Sequence, residues 1–198
     1  VDVQRSGKSD LYAFDGMSKY DIIYPGDLLH CDFGISYLTL NTDCQELAYV
    51  LKPEETIAPE FLEEALAQGN AVQDHLTDNY KKGKSGNAIL KQAIEDSKAA
   101  GLRPQIYTHP LGLYGHSAGT TIGMWDAQEG VPGSGDHPLH EETVYAIELN
   151  AKVFIPEWEK DVRVMLEEAG YFGGDGFRYV NGRQTKLLLV GGKEKHLE

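Results

Sequence analysis

Five side chains with hard donor atoms stand in an order that could hold metal ions: Asp32, Asp43, His109, Glu148 and Glu167. Asp32 lies in Gly26-Asp27-Leu28-Leu29-His30-Cys31-Asp32-Phe33-Gly34, and Asp43 follows eleven positions later. His109 opens His109-Pro110-Leu111-Gly112-Leu113-Tyr114-Gly115-His116, so a second histidine stands seven positions on. Glu148 falls inside the apolar run Val144-Tyr145-Ala146-Ile147-Glu148-Leu149, and Glu167 ends another strand-like run. Four carboxylates cannot share one pocket as bare anions, because like charges a few ångströms apart disfavour each other's ionised forms. Carboxylate oxygen suits hard divalent cations, and imidazole is acceptable to Mn, Fe, Co and Zn. Such a set can hold two ions roughly 3.5–4 Å apart, which activate a shared water and polarise a carbonyl. Hydrolysis of an amide is the chemistry this equipment serves.

Each member taken singly has a plainer reading. An aspartate at a strand end is commonly a turn or cap residue. An ionisable residue in an apolar strand, such as Glu148, is costly to bury unpaired and could serve a structural salt bridge. The ordered set is more specific than its parts. Glu167 and Glu168 adjoin, and only one can face a site from an extended strand.

The elements that must carry these residues follow from the pattern. Pro25-Gly26-Asp27 is a turn signal. Leu28 to Phe33, Ile35 to Leu40 and Glu46 to Leu51 read as strands, which places both aspartates on neighbouring antiparallel strands. Ile57, Phe61, Leu62, Ala65, Leu66, Val72 and Leu76 recur at helical spacing, with Pro59 suited to a first turn. Ser85 predicts the N-cap of a second helix carrying Ile89, Leu90, Ala93 and Ile94, with Gly101 just past its end. Gln105 to His109 reads as a strand, followed by a glycine-rich loop region that extends to Gly135. Thr143 to Phe154 and Val162 to Leu166 read as strands, and Asn181-Gly182 predicts a hairpin turn closed by a strand over Leu187 to Val190. Strands, two helices, then strands argue for an α+β fold with helices over one face of an antiparallel sheet.

The chain has 198 residues, enough for one domain with a substantial core. Its net charge is −13 and it has no long Lys/Arg cluster, so a nucleic-acid partner is not expected. No apolar run approaches the roughly 18 residues that cross a membrane. The two cysteines, Cys31 and Cys44, make no disulfide scaffold. Each adjoins an aspartate of the set, so on a strand it should face the apolar layer behind the site as a buried thiol. Reduced thiols point toward the cytoplasm. The chain begins with Val1, as an excised domain or shortened chain would.

With these residues in order, the chain resembles the pita-bread metallopeptidases, the group of methionine aminopeptidase, Xaa-Pro aminopeptidase and prolidase. The resemblance rests on the order Asp, Asp, His, Glu, Glu and the eleven-residue step, and it covers roughly residues 1–190. It implies an α+β fold with a curved antiparallel sheet and helices on its outer face. It implies one catalytic domain over 1–198 that lacks N-terminal elements. It implies two divalent ions, Mn²⁺ or Co²⁺ before Zn²⁺ or Fe²⁺, held by Asp32, Asp43, His109, Glu148 and Glu167. His116 then falls at a histidine that contacts substrate and helps move protons, beside Glu148 and Glu167 as the catalytic acids. Asp15 stands where the family has an upstream substrate-binding histidine. The implied activity is hydrolysis of the N-terminal bond of peptides by an aminopeptidase or dipeptidase, with Xaa-Pro substrates preferred and a homodimer allowed. Departures fall on the substrate side: Gln105 and Met165 replace a histidine and an arginine of the Xaa-Pro enzymes, and Cys44-Gln45-Glu46 replaces a Thr-Arg pair. The rival readings are a non-catalytic pita-bread domain that binds peptide or protein, and a metal-free amidinohydrolase resembling creatinase. Retention of all five donors argues against both.

Overall fold

The computed structural model describes residues 1–7, 10 and 22–191. Asp15 and His196 lie outside the described residues. In chain order the elements are β1 (Asp2–Gln4), β2 (Leu28–Phe33), β3 (Ser36–Tyr37), β4 (Leu40–Asn41), β5 (Cys44–Val50), α1 (Glu60–Thr77), α2 (Gly86–Ala99), β6 (Pro104–Ile106), β7 (His109–Leu111), β8 (Thr143–Ile155), β9 (Lys160–Gly173), β10 (Gly176–Tyr179) and β11 (Leu188–Val190). The main sheet runs β1-β2-β5-β9-β8-β6, with β7 added to β8, β10 to β9 and β11 to β5. All its pairings are antiparallel except β11 with β5.

Both helices form where the spacing predicts. The Ser85 hydroxyl accepts the Ala88 N–H at 3.2 Å, satisfying one of the donors that a helix start leaves open. Gly101 takes a φ of +80° just past the end of α2, a conformation that suits glycine. Leu62, Leu66, Val72 and Leu76 of α1 join Ile89 and Leu90 of α2 against Ile147, Leu149, Val164 and Leu166 of the long strands. This apolar layer backs one face of β8 and β9. At Gly69 the helix lies very close to the sheet: an added Cβ would stand 2.6 Å from Val164 Cγ1 and 2.9 Å from Leu166 Cδ1.

Four expectations are corrected. Ile35 to Leu40 is not one strand but a small hairpin, β3 and β4, that turns at Leu38 and Thr39 with φ of +46° and +70°. Such a turn is usually signalled by Asn or Gly, so a Leu-Thr pair hid it. Asp43 stands just before β5 rather than within a strand, while Asp32 is inside β2. The segment after Pro104 breaks at Tyr107 and Thr108 into β6 and β7. Finally, Asn181-Gly182 is a bend, not a hairpin turn. The hairpin turns at Gly174-Asp175, between β9 and β10, and the last strand crosses to lie parallel to β5. Gln184 prepares that crossing: its amide accepts the Leu47 N–H at 2.8 Å and donates to the Leu47 carbonyl at 2.7 Å.

Candidate metal centre

Strand register does most of the positioning. Asp32 pairs with Gln45 across β2 and β5, Gln45 with Glu167 across β5 and β9, and Glu167 with Glu148 across β9 and β8. Directly opposed residues share a face, so these side chains form one polar row over four strands. His109 on β7 pairs with Ala146, two residues before Glu148, and so joins the same face. Asp43 reaches it from the link between β4 and β5.

The donor atoms converge. His109 Nε2 lies 3.5 Å from Glu148 Oε2 and 3.7 Å from Glu167 Oε1. Three overlapping triads each bring their donor atoms within 4.8 Å of one another: Asp43, His109 and His116; His109, Glu148 and Glu167; and Asp32, Asp43 and Glu167. Shared members link all five expected donors and His116 into one cluster. His116 is exposed, and its ring stacks on that of His109 at 3.9 Å between centroids.

The electrostatics are those of a site short of positive charge. Burial raises the Glu167 carboxyl well above the ordinary carboxylate range, and the charges of Glu148, Asp43 and Asp32 push it further. Burial also raises Asp43, with Asp32 and Glu148 adding to it. Burial pulls His109 down, but the facing Glu148 carboxylate, the Pro110 carbonyl and the charge of Asp43 outweigh this, and the net shift is upward. His109 Nε2 and Glu167 Oε1 are buried with no hydrogen-bond partner. Buried polar atoms are rarely left so, and two of them facing each other across a carboxylate cluster fit a cation between them.

The neighbours divide clearly. Glu168 points away from the cluster, where it accepts the Gln184 N–H at 2.6 Å. Cys31 and Cys44 are half-buried rather than buried as expected. The thiol of Cys44 is pushed up to about 11 by burial and by the charges of Glu167, Glu46 and Glu168, so it is no ready thiolate ligand.

Sequence reading took Gln45 only as part of a departure from the family pattern, whereas it is 2 % exposed and central to the row. Its amide nitrogen donates to Glu148 Oε1 at 2.6 Å and to Glu167 Oε2 at 3.2 Å. Its oxygen lies 2.8 Å from His30 Nε2, and His30 Nδ1 lies 2.8 Å from Asp2 Oδ2. His30 therefore sits between two oxygens, tied by Gln45 to the two glutamates. The available signal was period two: His30 precedes Asp32 by two residues, and Gln45 follows Asp43 by two. Beside the row a cavity of about 380 Å³ opens, lined by Asp32, Glu148, Tyr107, Trp125, Asn150 and Met165 among others.

A family model described as metallopeptidase family M24 matches residues 5–179. The chain belongs to that family. The family is described as one of metallopeptidases, and the pita-bread α+β fold expected from the sequence is the one found. Among solved structures, the chain is similar to an X-Pro aminopeptidase from Thermotoga maritima MSB8, with 20 % identity and a TM-score of 0.61 over 88 % of this chain and 45 % of that one. A prolidase from Pyrococcus horikoshii OT3 is similar at 20 % identity and a TM-score of 0.60, over 87 % and 45 %. A methionine aminopeptidase from Rickettsia prowazekii is similar at 15 % identity and a TM-score of 0.56, over 78 % and 64 %. This M24 chain thus spans less than half the length of the first two. No curated protein matches it.

Proposed function

We propose that the chain is the catalytic part of a dinuclear exopeptidase, an aminopeptidase or dipeptidase that cleaves the first peptide bond of its substrate. The observation that carries this reading is the row Asp32–Gln45–Glu167–Glu148, with the unpartnered His109 Nε2 and Glu167 Oε1 turned into it. Asp32, Asp43, His109, Glu148 and Glu167 would hold the ions, Mn²⁺ or Co²⁺ before Zn²⁺ or Fe²⁺. Bound divalent ions supply an activated water and a Lewis acid for the scissile carbonyl.

The protein's own part is positioning and proton handling. Gln45 fixes one oxygen of Glu148 and one of Glu167, leaving Glu148 Oε2 and Glu167 Oε1 to face the centre. Those oxygens can accept a proton released there and return it to the leaving amine. The exposed His116, stacked on His109, can offer a ring N–H to the carbonyl oxygen or leaving group. Acidic donors in excess of His109 favour a substrate with a free, cationic amino group. Asp15 remains a proposed contact for that group.

Xaa-Pro peptides are the first substrates to try, since X-Pro aminopeptidase and prolidase structures share the fold. The two unpaired cysteines favour a reducing compartment such as the cytoplasm. The test is metal analysis of protein purified without chelator, paired with hydrolysis of Xaa-Pro and other dipeptides before and after Mn²⁺ or Co²⁺ is added. Two equivalents of metal and metal-dependent cleavage are expected. A folded protein that takes up no divalent ion would overturn the proposal.

A further inference from the structure

The polar row continues past the proposed ligands to the edge of the sheet. On β2, His30 stands two residues before Asp32 and shares its face. On the edge strand β1, Asp2 is paired directly with His30. One chain of contacts therefore crosses β1, β2, β5, β9 and β8. Asp2 Oδ2 lies 2.8 Å from His30 Nδ1, and His30 Nε2 lies 2.8 Å from Gln45 Oε1. Gln45 Nε2 then donates to Glu148 Oε1 at 2.6 Å and to Glu167 Oε2 at 3.2 Å. Asp2, His30 and Gln45 are all buried, so water competes little for these contacts.

The direction of this chain is set from its acidic end. An ionised carboxylate only accepts hydrogen bonds. With both glutamates ionised around cations, Gln45 must turn its NH2 group to them and its oxygen to His30. His30 Nε2 must then carry a hydrogen and donate it. The Asp2 carboxylate holds the ring from its other nitrogen. A reversed Gln45 amide would set its oxygen against two carboxylates, and the ring's donor opposes that reversal. β1 is itself clamped. Gln4, two residues after Asp2 and on the same face, donates to the Arg163 carbonyl at 2.8 Å and accepts the Arg163 N–H at 2.7 Å. A side-chain amide here takes the place of a strand partner, as Gln184 does at Leu47. The clamp supports a ladder of only three residues in fixing where Asp2 stands.

We propose that Asp2 and His30 are positioning residues of the metal centre. They lock the Gln45 amide in the one orientation that leaves Glu148 Oε2 and Glu167 Oε1 aimed at the cations. In this role both act through Gln45 and not on an ion. The role rests on the metal-centre reading of the five donors, and it brings the edge strand β1 into the site.

The experiment is a double-variant cycle on Mn²⁺ affinity, read by isothermal titration of the whole chain, with circular dichroism as the check on folding. His30→Leu fills the space but removes the donor, and should weaken Mn²⁺ binding about tenfold. His30→Gln can place an amide nitrogen where Nε2 stands, and should bring affinity back to within about threefold of the unsubstituted chain. In the double variant His30→Leu with Gln45→Ala, affinity should match Gln45→Ala alone within about twofold, because contacts routed through one residue are lost only once. Asp2→Asn, which can still hydrogen-bond the ring, should bind Mn²⁺ more tightly than Asp2→Ala. Losses that multiply in the double variant are the result a general packing role gives, and would overturn the inference while leaving the metal centre intact. So would undiminished affinity in His30→Leu, or a His30→Gln protein as weak as His30→Leu. If His30→Leu does not fold, the two Asp2 variants decide, and equal affinity in both overturns the inference. No Mn²⁺ uptake by the unsubstituted chain would overturn the exopeptidase reading as well.

Discussion

Glu167 and Glu168 are neighbours in the chain and stand in opposite environments. Both are buried, and burial raises both carboxyls. On its side of the sheet, Glu168 has a backbone donor from Gln184 and the charge of Arg183 to offset Glu46, and its carboxyl is pushed up only to about 7. On the other side, Glu167 faces Glu148, Asp43 and Asp32 with the Gln45 amide as the lowering contact. Burial alone thus does not mark a metal centre. The mark is a buried carboxyl surrounded by others, beside unpartnered donor atoms that a cation would satisfy.

The sharpest break of this contrast is removal of a central donor. Asp43→Ala should lower divalent-metal affinity and peptide hydrolysis by more than about a hundredfold, beyond the 10–100-fold typical of outer-shell changes. Isothermal titration with Mn²⁺ and a peptide assay check it. Next comes Gln45→Ala, which leaves every donor in place but frees Glu148 and Glu167 to swing. Metal affinity should fall about 10–100-fold while the far-ultraviolet circular dichroism stays unchanged.

A third prediction uses pH. In the metal-free protein the folded pKa of Glu167 is raised above the ordinary 4.5, so the folded state holds a proton that the unfolded chain gives up. That contribution is complete below about 4.5 and is lost as pH rises toward the folded value. Metal-free protein should therefore lose at least about 5 °C in Tm between pH 5 and pH 9, and saturating Mn²⁺ should remove the slope. The smallest effect belongs to the other face. Glu168→Gln should keep metal affinity within about twofold and flatten the remaining dependence between about 4.5 and about 7, with a gain of about 2 kcal/mol at pH 8. A large loss of metal from this variant would erase the distinction between the two faces.

Much of this was legible in the sequence because it depends on local rules. Ser85 and Gly101 bracket α2, the helical spacing of Leu62, Leu66 and Leu76 fixes the buried side of α1, and Glu148 is conspicuous in an apolar strand. What escaped depends on partners far along the chain. The extension of β9 to Gly173 comes from pairing with β8 along its whole length, and β11 lies beside β5 only because Gln184 bridges to Leu47. Gln45 gave little sign of its place because glutamine is usually a surface residue, and its burial follows from a register that joins residues 45, 148 and 167.

Gly69 carries a consequence for the opposite side of the sheet. It leaves room for α1 to rest against Val164 and Leu166, and Leu166 immediately precedes Glu167 in β9. The thickness of the layer behind the strand thus sets the depth at which the glutamate is presented. A methyl group at position 69 would act as a shim, tilting β9 and altering donor separations that a small ion tolerates poorly. Any preference of the proposed centre among ions would then be set in part from the dry side of the sheet, by a residue that has no side chain.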